Sequence, residues 1–426
     1  MLLTLKNIGR LKNAEVKING ITVICGNNNT GKSTVGKILY CIYDSLHELE
    51  ESIQYDRANA VINSVGYFFR PVKLTDYKLL PSAFERDIFY RSRIEEAIDS
   101  GKTGKDIVSM IIKLFGVKLP EADIKELSDT IDTRLKISAR EIVSSFVSRR
   151  IEAEFGESLS NVNHPRRKSS VELRIKDASI IFSSSRDQIT VEKFISLHKN
   201  LIYIDDPFII DEINNRRYGM LASDVFTHRS RLLRMFVRNS YRTEQTSTEE
   251  IIDSKKIKQI IGEINKISDG ELVFEGGKFT YKHSGLRKSL SLQSVSTGIK
   301  TFIIIKKLLR DGILEENGIA VFDEPEVHLH PEWQIKFAEI IVMLHKAYGL
   351  NIVLTTHSME FLSAIDHFSQ VHGIEDVCSY YLTELEKAKS TDDFPDAVMR
   401  EMTGYKEKLY ASISAPFLAL YKQMNG

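Results

Sequence analysis

Residues 21–33, ITVICGNNNTGKS, constrain this chain more than any other stretch. An apolar run ends in Gly26-Asn27-Asn28-Asn29-Thr30-Gly31-Lys32-Ser33, and a helical pattern (Val35, Ile38, Leu39, Ile42) follows at once. The order strand, G-x-x-x-x-G-K-S, helix is the P-loop, and each position has a physical task. Gly26 and Gly31 permit backbone conformations and approaches that a Cβ would obstruct. The loop N–H groups and the helix N-terminus then surround phosphate with donors. Lys32 is placed for the β- and γ-phosphates, and the Ser33 hydroxyl for Mg²⁺. The expected nucleotide contacts are Gly26, Asn27, Asn28, Asn29, Thr30, Gly31, Lys32, Ser33 and Thr34.

Length and composition narrow the setting. A chain of 426 residues, 42% apolar and 27% charged, has the make-up of a globular protein of two or three domains, or of one large domain with an insertion. Lys and Arg number 58 against 58 Asp and Glu, so a nucleic-acid surface would have to be local. Three cysteines without C-x-x-C spacing argue against a disulfide framework and a cysteine zinc site, and suit a reducing cytoplasm. There is no signal-like start and no apolar run long enough for a membrane span, so no membrane is expected.

Leu2–Leu5 and Ala14–Ile18 read as strands, and Asn19-Gly20 reads as a hairpin turn into the P-loop strand. Residues 46–167 are mostly helical. Ile124, Leu127, Ile131 and Leu135 form one apolar stripe, with no sustained heptad of the kind long coiled-coil arms need. Strand patterns return over 168–207, ending with Leu201–Ile204 and Asp205-Asp206-Pro207. Residues 208–293 contain helical stretches at His228–Arg242 and Ser254–Ile267, and a hairpin around Gly276-Gly277. Residues 294–365 alternate helix and buried strand with polar residues at the strand ends, which implies a mainly parallel sheet with its site there. Residues 366–426 read as a C-terminal extension, and 1–45 as the first part of the same head.

Three further motifs carry chemistry. Ile319–Phe322 followed by Asp323-Glu324 is a Walker B pattern: Asp323 faces Mg²⁺ and Glu324 is the residue to polarise the attacking water. Thr355-Thr356-His357-Ser358, at the end of the next strand, offers His357 to the γ-phosphate. Ser296, Thr297 and Gly298 open a helix with free N–H donors; the same residues also make an ordinary helix cap. His328 and His330 lack a third clear ligand and read as packing or subunit-contact residues. Arg231, Arg234, Arg238 and Arg242, with Arg229 nearby, share a helical face that suits nucleic-acid phosphates or, equally, solvent or a partner.

Taken together, GNNNTGKS, STGIK, VFDEPEVHLHPEW and LTTHS resemble the ABC-type ATPases of the OLD and RecF kind, including ATPase subunits of antiphage systems such as Septu and PARIS. The resemblance covers residues 1–45 and 270–365. It implies an α/β, ABC-type P-loop head with a mostly parallel core sheet, an antiparallel β subdomain and a large helical insertion. It also implies ATP and Mg²⁺ as cofactors, and a homodimer or higher oligomer closed around ATP. In that likeness Ser296–Lys300 is the signature loop offered to a partner chain, Glu326–His330 the D-loop region and His357 the switch histidine. A separate effector, such as a nuclease subunit, is the expected partner. Departures are the missing L-S-G-G-Q, the absence of a glutamine at Asp205-Asp206, and no Toprim-like D-x-D after His357. The absence of N-K-x-D favours ATP over GTP. Competing readings are a nuclease centre within 46–290 or 366–426, and a transporter motor.

Overall fold

The computed structural model describes residues 1–69, 83–116, 118–156, 158–185, 188–214, 226–240, 257–386 and 394–425. The described chain divides into two compact units, 1–45 with 147–195 and 199–426, and 46–146 with 196–198. The sequence reading carried the helical segment on to residue 167; the structure gives 147–195 to the first unit.

The first unit is built on an eleven-stranded sheet. In chain order its strands are β1 (Leu2–Ile8), β2 (Leu11–Lys17), β3 (Ile21–Gly26), β4 (Ser169–Ile175), β5 (Ala178–Ser185), β6 (Gln188–Lys193) and β7 (Leu201–Ile204). A separate two-stranded hairpin, β8 (Glu271–Glu275) and β9 (Lys278–Lys282), turns at Gly276-Gly277. The large sheet resumes with β10 (Ile319–Asp323), β11 (Asn351–Thr356), β12 (Cys378–Leu385) and β13 (Ala397–Glu401). The spatial order is β6-β5-β4-β1-β2-β13-β12-β3-β11-β10-β7. From β12 to β7 every pair is parallel; β1, β2, β4, β5 and β6 form an antiparallel wing. β3 is buried at every position, as a strand covered on both faces must be.

Two expectations change. The hairpin lies between β1 and β2, with Ile8 opposite Leu11, and β2 does not pair with β3. Asn19-Gly20 is instead a crossing, because the places beside β3 belong to β11 and β12. The C-terminal segment is also central rather than peripheral: β12 runs parallel to the P-loop strand, and β13 joins it to β2. Tyr380 and Tyr381 on β12 are fully buried.

The helices follow the sequence patterns closely. α1 (Lys32–Leu46) leaves the P-loop. The second unit contains α2 (Leu49–Phe69), α3 (Ala83–Asp99), α4 (Gly104–Phe115) and α5 (Glu121–Leu135), packed through Val61, Ile94, Ile107, Ile111, Leu127 and Ile131. Thr103 and Asp106 form a capping box on α4, and Gly116 ends it at φ 63°. α6 (Ala139–Phe155) follows, then in the first unit α7 (His228–Ser240), α8 (257–265), α9 (Thr297–Arg310), α10 (Pro331–Tyr348), α11 (Met359–Val371) and α12 (Lys406–Asn425). Phe337 on α10 meets Phe302 of α9, Phe322 of β10 and Phe361 of α11, with ring centroids 5.8, 5.9 and 6.2 Å away. One aromatic thus joins the elements that carry Ser296–Gly298, Asp323 and the turn at His357. No helix among the described residues is long and apolar enough to cross a membrane.

Candidate nucleotide-binding site

The C-terminal ends of β3, β11, β10 and β7 lie side by side, and a cavity of ≈ 500 Å³ opens where the P-loop meets the ends of β10 and β7; His357, after β11, is not among its lining residues. Lys32, Ser33, Asp205, Asp206, Asp323 and Glu324 are among the residues lining it.

The loop is shaped by its neighbours as well as by its own sequence. Gly26 has φ 144°, and a Cβ there would fall 2.2 Å from Thr383 Oγ1. At Gly31, φ 87°, a Cβ would meet Leu11 Cγ at 2.7 Å. Thr383, on β12, therefore abuts the loop. Its hydroxyl is 3.1 Å from Cys25 O and 2.6 Å from Thr30 Oγ1, which in turn lies 2.7 Å from Asn27 O. The two hydroxyl protons can fill two of these three contacts at a time, and they hold the loop from behind. Burial, first among the causes, pushes the Cys25 thiol up to about 12, so it sits there as an inert packing group.

Lys32 is buried. Its Nζ donates to Gly26 O and Asn27 O, each at 3.0 Å, and pairs with Glu324 Oε1 at 3.1 Å. Asp323 is held on both oxygens: Ser33 Oγ (3.0 Å) and Thr355 Oγ1 donate to Oδ1, and Tyr203 OH (2.9 Å) donates to Oδ2. Glu324 follows at φ 47°, a left-handed conformation that costs a non-glycine residue about 1–3 kcal/mol. Its N–H, 2.9 Å from Thr355 Oγ1 and 3.1 Å from Thr355 O, holds the turn. That turn sends the carboxylate toward Lys32 and, at 3.7 Å, His357 Nδ1. Glu324 and His357 remain 29% and 47% exposed, so both are open to water.

Behind His357, buried Glu326 accepts from Thr356 Oγ1 and from the His357 N–H at 3.2 Å. Burial raises the pKa of its carboxyl against those bonds. Ser358 caps α11 through Phe361 N–H and donates to Gln334 at 3.1 Å. Asp205 and Asp206 stand where the glutamine was sought. Asp206 caps the following 3₁₀ turn, Pro207–Glu212, at Phe208 N–H (2.8 Å), while Asp205 accepts from Arg229 at 2.8 and 3.0 Å.

Ser296 is the N-cap of α9, without a side-chain hydrogen bond to the helix. Ser296, Thr297 and Gly298 are not among the residues lining the cavity; Thr301 and Ile305, farther along α9, are. Lys300 is buried and tied to Asp211 of the 3₁₀ turn at 2.6 Å, its Nζ 4.8 Å above the Phe208 ring. His330 caps α10 by accepting from Glu332 N–H, and His328 packs edge-on against Phe208 at 5.6 Å.

The arginine face is not an open row. Arg231 pairs with Asp44 and donates to Asn200 at 2.7 Å, and Arg229 is bound to Asp205. Arg234 is half-buried, and burial lowers its pKa despite the nearby Asp44. Arg238 is exposed; Arg242 lies outside the described residues. Helical spacing found the shared face but not the acids α7 packs against.

Sequence reasoning missed Tyr203, Thr355 and Thr383. Thr355 was visible as the first residue of the T-T-H-S run. Thr383 carries no motif, and only strand pairing brings it to the loop.

This strand order and this corner define a P-loop ATPase head of the ABC type. Residues 1–362 match the family described as AAA ATPase domain, and the chain belongs to that family. Among solved structures it is similar to an SMC head bound to the C-terminal winged-helix domain of ScpA (11% identity, 95% of this chain and 98% of that one, TM-score 0.43). It is also similar to the SMC head domain from Thermotoga maritima (10%, 94% and 97%, 0.39). A third is the SMC head with an extended coiled coil bound to the ScpA C-terminal domain from Pyrococcus furiosus (11%, 96% and 98%, 0.37). The fold is defined here by its own strand order.

Proposed function

We propose that this protein binds and hydrolyses ATP between two copies of itself, and that the nucleotide state controls a separate effector or an encounter with nucleic acid. The observation that carries the reading is the convergence of Lys32, Ser33, Asp323 and Glu324 at one corner of the cavity, with His357 Nδ1 beside Glu324 at 3.7 Å. Ser33 and Asp323 offer hard oxygen donors, 3.0 Å apart, that suit Mg²⁺. They are the residues that would hold the ion, which when bound neutralises phosphate charge. Lys32 neutralises the β- and γ-phosphates, Glu324 accepts a proton from or orients the attacking water, and His357 bonds the γ-phosphate. Gly26 to Thr34 supply the loop contacts.

A single head leaves these groups open on one side, and charges act strongly only where water is excluded. Ser296, Thr297 and Gly298, at the start of α9 with its N–H donors and not among the residues lining their own cavity, are the part we assign to closing a second copy's site. The likeness to OLD, RecF, Septu and PARIS ATPases supports a role in antiphage defence or DNA maintenance with a nuclease partner. Any phosphate contact by α7 rests on Arg238, with Arg234 behind it.

The test is Glu324→Gln. The variant is expected to bind ATP as wild type does, lose at least about a hundredfold in turnover, and accumulate as an ATP-bound dimer by light scattering. Full turnover in the variant removes Glu324 from the reaction, and an ATP-saturated monomer removes the shared site.

A further inference from the structure

Tyr203 is the third residue of the apolar run Leu201-Ile202-Tyr203-Ile204 of β7, where a phenylalanine would bury equally well. The hydroxyl is therefore the informative atom, since a buried O–H needs a partner. It finds Asp323 Oδ2 at 2.9 Å and is the only donor to that oxygen among the described residues. Ser33 and Thr355 both serve Oδ1. Without Tyr203 the carboxylate would be held on one side only and could swing about that oxygen.

The ring has its own support. It stacks on the imidazole of His228, the first residue of α7, with centroids 4.1 Å apart and planes at 20°. His228 is buried. Its Nδ1 lies 2.8 and 2.9 Å from the two oxygens of Glu154, and its backbone N–H donates to Glu154 Oε1 at 2.7 Å. On the other side Nε2 is 3.1 Å from Asp205 Oδ2, an ion-pair contact rather than an aligned hydrogen bond. Burial opposes the charged ring, but Asp205 and Glu154 outweigh it and raise its pKa to about 9. Two carboxylates thus clamp the ring against Tyr203, and one of them, Asp205, lines the cavity itself.

We infer that Tyr203 is a positioning residue for the Mg²⁺-facing carboxylate of Asp323, and that His228 sets the Tyr203 ring, linking α7 to the nucleotide site. The inference rests on the Mg·ATP reading of that site. It gives α7, the helix carrying Arg231, Arg234 and Arg238, a route to the chemistry: a displacement of its first turn moves the stack, and the stack holds Asp323.

The test is Tyr203→Phe in the full chain, with binding of a fluorescent ATP analogue followed as Mg²⁺ is titrated, and again in EDTA, beside a thermal melt. About tenfold more Mg²⁺ is expected at half-saturation, the loss of one hydrogen bond to a charged group, with binding in EDTA unchanged. A lowered melting temperature with the wild-type Mg²⁺ midpoint would mean a structural tyrosine and overturn the assignment. His228→Gln should move the midpoint in the same direction by about threefold, consistent with the loss of a weaker, indirect support. Should it not fold, Glu154→Leu, which removes the acceptor from His228 Nδ1 and leaves the ring without that support, takes its place. A wild-type midpoint in the folded variant overturns the link through α7. If the wild-type protein itself shows no Mg²⁺-dependent nucleotide binding, the reading of the site fails; if it does and Tyr203→Phe is unshifted, only this inference fails.

Discussion

The P-loop corner and the loop at Ser296–Gly298 belong to the same unit, but they are finished to different degrees. In the corner every charge already has a neighbour: Lys32 with Glu324, Asp323 with three hydroxyls, Glu324 within 3.7 Å of His357. The other loop has a cap residue whose hydroxyl makes no bond to its helix, and its residues are not among those lining the cavity. Behind it, Lys300 is buried and clamped to Asp211. Under the proposed function the corner acts on phosphate, and the loop is the part brought to it by a second copy.

The largest expected effect separates the two regions outright. Ser296→Arg should abolish turnover and leave ATP binding intact, because the loop is not part of its own cavity, whereas Lys32→Ala should abolish binding itself. A mixture of the two variants retains one undamaged composite site per heterodimer and should recover part of the activity in a steady-state assay. A Ser296→Arg protein that hydrolyses ATP at the wild-type rate would erase the distinction.

A smaller effect tests how far the corner depends on the C-terminal strand. Gly26→Ala sets a Cβ 2.2 Å from Thr383 Oγ1 and should cost about 1–3 kcal/mol by overpacking. Thr383→Val keeps the volume and loses the hydroxyl, for about 1 kcal/mol. Denaturant melts should rank the two in that order. If Thr383→Val is the more damaging, the hydrogen bonds matter more than the fit.

The smallest effect concerns the flank that joins the corner to α7. The pKa of His228 is raised to about 9, so its contribution is complete below the ordinary histidine value near 6.5 and is lost as pH rises through 9. Asp205 behaves oppositely: burial is outweighed by His228 and Arg229, its pKa falls to about 2, and its contribution is lost only in strong acid. Melting temperatures between pH 6.5 and 9.5 should fall in the wild type more steeply than in His228→Gln. Parallel slopes would show that the charge on His228 does not stabilise the fold.

Much of the corner was legible because its chemistry is local. A P-loop needs its glycines, lysine and serine within one turn of chain, and Walker B needs an apolar strand ending in acid. The arginine face of α7 shows where locality stops. Period 3.6 placed Arg231 and Arg234 together, but Asp44, which pairs with one and lies near the other, is far away in sequence.

By itself, then, the sequence determined that a phosphate-binding loop leads into α1, that Asp323 and Glu324 end a buried strand, and that His357 ends another. Short-range stereochemistry suffices for each. Only the tertiary structure decided that β12, read as part of an extension, lies against the P-loop strand, and that Asn19-Gly20 crosses the sheet instead of folding a hairpin. Only it brought Thr383 to Thr30, Tyr203 to Asp323 and Glu154 to His228. Strand order is settled by which apolar faces cover one another across the whole sheet. That competition among distant segments leaves no mark in the spacing of residues along any one of them.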